Sequence, residues 1–88
     1  MPALTIEQRQ ERTRNLILDA LRRNRDMTAR QIGHELQVYD IWLSPLEVAF
    51  FIKGDKRLKQ RVEFEFQRTS RWAGLIYWLK DGRPIPRR

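Results

Sequence analysis

Apolar positions recur at helical spacing through the first two thirds of this chain and then switch to strict alternation, so two kinds of element are expected in sequence. Leu16, Ile17, Ala20 and Leu21 fall on one helical face, whereas the turns before them, residues 7–15, are almost wholly polar. Thr5 and Gln8 have the form of a capping box, in which a hydroxyl and an amide side chain satisfy backbone N–H groups that a helix start leaves orphaned. The pattern predicts a first helix from Thr5 to about Asn24, with its first half facing solvent. Thr28 and Gln31 repeat the box, and Ala29, Ile32, Gly33 and Leu36 follow at i, i+3, i+4 and i+7, which predicts a short amphipathic helix over 29–37. Ser44 and Glu47 make a third box around Pro45, whose missing N–H is harmless at the first helical position. A third helix is expected from Pro45, with Gly54-Asp55 as its stop or with an irregular continuation through Lys56 to Leu58.

The period then changes. Val62, Phe64 and Phe66 alternate with Glu63, Glu65 and Gln67, the signature of a half-buried strand over 61–67. Residues 74–79, rich in β-formers, read as a second strand antiparallel to the first, with 67–73 as the connecting loop. The expected fold is α+β: three helices followed by a two-stranded antiparallel β-hairpin, in one domain over 1–80, with a flexible basic tail at 81–88 where Pro84 and Pro86 interrupt regular hydrogen bonding. Phe64, Phe66 and Trp78 are expected in the core, and Trp72 is the aromatic expected to touch a partner.

Composition narrows the function. At 88 residues the chain buries only about 60–65% of its unfolded surface, which leaves little room for an enclosed substrate pocket. With no cysteine and one histidine, His34, it offers neither a thiolate nor a multi-histidine metal site, and no cofactor is expected. Glu63 and Glu65 share the solvent side of one strand without a nucleophile or glycine-rich phosphate loop nearby, so no enzyme is expected. No apolar run approaches the roughly 18 residues of a membrane span, and no leader pattern opens the chain; the expectation is a cytoplasmic protein with no membrane partner.

Charge points to the partner. Lys and Arg number 18 against 11 Asp and Glu, a net +7, which favours polyanions. The densest run is Lys53, Lys56, Arg57, Lys59 and Arg61, offset by Asp55 alone. Arg22, Arg23, Arg25 and Arg30 gather around the start of the second helix, and Arg68 and Arg71 flank Thr69 and Ser70 between the strands. Two guanidiniums and two hydroxyls on a short loop suit phosphate oxygens.

Three short helices and a hairpin in a basic chain resemble the winged helix-turn-helix family from about Thr5 to Leu79. The stretch from Met27 through Thr28, Ala29, Arg30, Gln31, Ile32 and Gly33 to Leu36 looks like the short strand residue and second helix of such domains, and Ser44-Pro45-Leu46-Glu47-Val48-Ala49 resembles the opening of their recognition helix. The connection 37–43 and the segment from Lys53 to Leu58 are similar to the amino-terminal domain of the bacterial RNA polymerase delta subunit. The resemblance implies a third helix that approaches a DNA major groove through Ser44, Glu47 and Lys53, and a wing that touches phosphate or minor groove through Arg68, Thr69, Ser70 and Arg71.

By residue chemistry alone the third helix is a poor reader of bases, since 46–52 is apolar except for Glu47. The reading is therefore a small transcriptional regulator or chromatin-associated factor, nucleoid-associated, that binds double-stranded DNA through Arg30, Lys53, Lys56, Arg57, Lys59 and the wing. The alternative is a winged-helix protein-interaction module in a transcription or repair assembly, docking through the third helix and the polar half of the first; an exposed Phe50 or Phe51 would favour it. Homodimerisation through the first helix is a further expectation, and single-strand or RNA binding through Trp72 is a third reading.

Overall fold

Each of the three capping boxes opens a helix in the computed structural model, which describes residues 4–68 and 73–80. Thr5 Oγ1 accepts from the Gln8 amide at 3.1 Å while Gln8 Oε1 accepts from the Thr5 amide at 3.0 Å. The same reciprocal pair joins Thr28 to Gln31 and Ser44 to Glu47. A cap of this kind contributes about 1 kcal/mol. The elements run α1 Ile6–Asn24, β1 Asp26–Thr28, α2 Ala29–Gln37, α3 Pro45–Gly54, α4 Lys56–Arg61, β2 Val62–Arg68 and β3 Ala73–Leu79. The described residues thus form an α+β fold with four helices and a three-stranded antiparallel sheet in the order β1-β3-β2.

The expectation of three helices and a two-stranded hairpin is corrected at two places. Asp26–Thr28 is too short to show alternation, yet it pairs with β3, Met27 opposite Tyr77, and makes β3 the central strand. At the end of α3, Asp55 both stops that helix and caps the next: its Oδ1 accepts from the Arg57 and Leu58 amides, each at 3.0 Å. Residues 56–61 are therefore a helix in their own right rather than an irregular continuation.

One side chain or more from every element meets in the core. Ile17 and Leu21 of α1, Ile32 and Leu36 of α2, Val48 of α3 and Leu58 of α4 are completely or almost completely buried, and Met27, Val62, Tyr77 and Leu79 close the sheet side. Gly33 lets α2 approach the chain entering α3: a Cβ there would stand 3.1 Å from the Leu43 carbonyl oxygen.

The expected core role of Phe64 and Phe66 is also corrected. Register places Val62 opposite Leu79, Phe64 opposite Tyr77 and Phe66 opposite Leu75, so all three side chains of β2 share one face. Burial is complete only at the Val62 end of that face; Phe64 and Phe66 are 57% and 61% exposed. Trp78 is buried as expected, but it pairs with Glu63 and so faces the other way from Tyr77.

Candidate nucleic-acid interface

The basic segment that begins with Lys53 is arranged around Asp55, the sole acid between Glu47 and Glu63. Arg14 reaches across from α1 and grips that carboxylate in a fork, Nε to Oδ1 at 3.0 Å and Nη2 to Oδ2 at 3.0 Å. Both side chains are largely buried. Burial alone would raise the Asp55 carboxyl, but the Arg14 hydrogen bonds, the Leu58 and Arg57 amides and the Arg14 charge outweigh it and hold the carboxyl below its ordinary value. The hydrogen bond to Asp55 likewise raises Arg14, against the pull of burial and with help from the Asp55 and Glu11 charges.

Asp55 is thereby committed inward, to a cap and to Arg14. Lys53, Lys56, Arg57 and Lys59 are all exposed, and none forms an ion pair with a described residue. Positive charge at the α3–α4 corner is therefore unbalanced on its solvent side, where phosphate oxygens could approach.

The other expected site residues are distributed as follows. Ser44 and Glu47 spend their side chains on each other's backbone amides in the α3 cap. Arg30, exposed at the start of α2, lines a separate open cleft of about 520 Å³ with His34, Ser44 and Gly74. Arg68 is exposed at the last position of β2. Thr69, Ser70, Arg71 and Trp72, the expected wing tip, lie outside the described residues, as does the expected tail at 81–88.

Two features escaped the sequence reading. Lys80 joins Lys53 and Lys59 around one cleft, because its amide donates to the Arg61 carbonyl at 2.9 Å and brings the end of β3 beside the end of α4. The antiparallel pairing of the two strands was the signal that could have placed it. The second feature is apolar: Leu46 is 65% exposed on α3, one turn from Phe50, whose 63% exposure is the one the protein-docking alternative named. A helix whose apolar run is broken by Glu47 alone carries no periodic mark of which side is outward.

No family model, curated protein or solved structure matches this chain. Among the described residues, no helix is long and apolar enough to cross a membrane.

Proposed function

We propose that this is a winged helix-turn-helix protein that binds double-stranded DNA without chemistry, as a small transcriptional regulator or chromatin-associated factor. The observation that carries the reading is the α3–α4 corner, where Lys53, Lys56, Arg57 and Lys59 stand unpaired among the described residues while Asp55 is held inward by Arg14. The capped helices, the short strand before α2 and the hairpin after α4 support the family resemblance. Binding by this reading is positional rather than base-reading: the outward face of α3 is apolar, and the polar side chains at its start are engaged in the cap.

The test is anisotropy of a labelled random duplex across a salt series. Replacing Lys53, Lys56, Arg57 and Lys59 together by Ala should weaken binding to all duplexes alike and flatten the plot of log affinity against log salt by about 0.9 per lost phosphate contact. An unchanged slope would remove the corner from the interface, and no binding by the unaltered protein at low salt would remove duplex DNA altogether. The exposure of Phe50 favours a second reading, a winged-helix module that binds a protein partner.

A further inference from the structure

Alongside the basic corner lies a cleft of different chemistry. It has a volume of about 510 Å³ and runs between α3 and the β2–β3 hairpin. Ala49, Phe50, Ile52, Val62, Phe64, Leu75 and Tyr77 form its walls. Phe64 and Tyr77 meet with ring centroids 6.1 Å apart, and burial raises the Tyr77 hydroxyl above its ordinary value, so that wall carries no charge at neutral pH. Leu46 and Phe66 lie exposed on the same α3 and β2 elements. Lys53, Lys59 and Lys80 line the cleft against one acid, Glu63.

We infer that this cleft docks an acidic amphipathic helix of a partner protein, whose apolar anchors enter between Phe50 and Phe64 while its carboxylates meet Lys53, Lys59 and Lys80. α3 is apolar from Leu46 to Ile52 except for Glu47, and Val48 and Ile52 satisfy only its inward side; Leu46 and Phe50, at i and i+4, are left in water. Charge decides the occupant. A second copy of this +7 chain would set lysines against lysines across a two-fold axis, and the segment 81–88, with Arg83, Arg87 and Arg88 against Asp81, carries the same sign as the rim. Duplex phosphates gain nothing from aromatic walls. An acidic helix with large apolar side chains on one face complements both the walls and the rim.

The docking inference is independent of the DNA reading, but the two share Lys53 and Lys59, so partner and duplex should exclude each other. The probe is a fluorescein-labelled 16-residue helical peptide rich in Glu and Asp, with Leu and Phe at i, i+3, i+4 and i+7. Expected results are saturable binding, amide shifts in NMR spectra confined to α3, α4, β2 and the end of β3, and at least tenfold weaker binding on Phe50→Ala or Phe64→Ala. Both positions are exposed, so circular dichroism should show an unaltered fold. Phe64→Ala lies outside the basic corner and changes no charge, so it should weaken the peptide while sparing duplex binding, which separates failure of this inference from failure of the DNA reading.

Four outcomes would overturn it: no binding; equal binding by a peptide with its Leu and Phe changed to Ser, which would mean charge alone; dimerisation through the cleft in sedimentation; or oligo-dT binding that is lost on Phe50→Ala, which would make the walls a platform for unpaired bases.

Discussion

Asp55 does three jobs, one with its backbone amide, which donates to the Phe51 carbonyl, and two with its carboxylate. It ends α3, caps α4 and receives Arg14 from an element 41 residues away in sequence. Removing the Arg14 fork while leaving the carboxylate buried should be costly, and Arg14→Leu is expected to destabilise the protein by about 2–3 kcal/mol in urea unfolding. Asp55→Asn in that background should recover part of the loss, because the cap acceptor survives while the unpaired charge goes. The pair also sets a pH dependence. Because the folded carboxyl lies below its unfolded value of about 3.9, its stabilisation is fully present above that value and drains as pH falls through the lowered folded one. Acid unfolding of the unaltered protein should thus steepen below about pH 4, and Arg14→Leu should flatten that limb of the stability curve. Nothing local in the sequence marks Arg14 apart from the other arginines of α1; only the approach of α1 to the α3–α4 corner selects it.

At the scale of elements, the helix starts were legible because capping is a local chemistry. A hydroxyl three residues before Gln or Glu meets its partner within one turn, whatever the rest of the chain does. β1 was not legible as an element: three residues show no period, and Asp26–Thr28 is a strand only because β3 lies beside it. Phe64 and Phe66 show the same limit from the other side, since alternation tells which residues share a face but not how far that face is covered. Element packing makes its own prediction at Gly33. Gly33→Leu would drive a branched side chain toward the Leu43 carbonyl oxygen and Val48 Cγ2, and should cost about 1–3 kcal/mol by thermal or urea unfolding with little change in helix content.

The whole molecule carries a net +7 on 88 residues, and self-repulsion of that size opposes compactness. Raising the salt from about 20 mM to about 300 mM should therefore raise the unfolding temperature, as screening shortens the reach of like charges. A falling temperature would mean that the Arg14–Asp55 fork and the exposed pairs, Arg22 with Asp19 and Arg23 with Glu35, outweigh the repulsion. At this scale the sequence by itself determined the α+β class, the three capped helix starts, the two strands of the hairpin and the sign of the charge, because each follows from contacts within a turn, from a period, or from a sum over residues. Tertiary structure alone decided that Asp55 faces inward and leaves its lysines unbalanced, that Lys80 joins Lys53 and Lys59, and that the outer side of α3 and the β2 phenylalanines stay in water. Those outcomes depend on where one element ends relative to another, a distance that neither period nor composition contains.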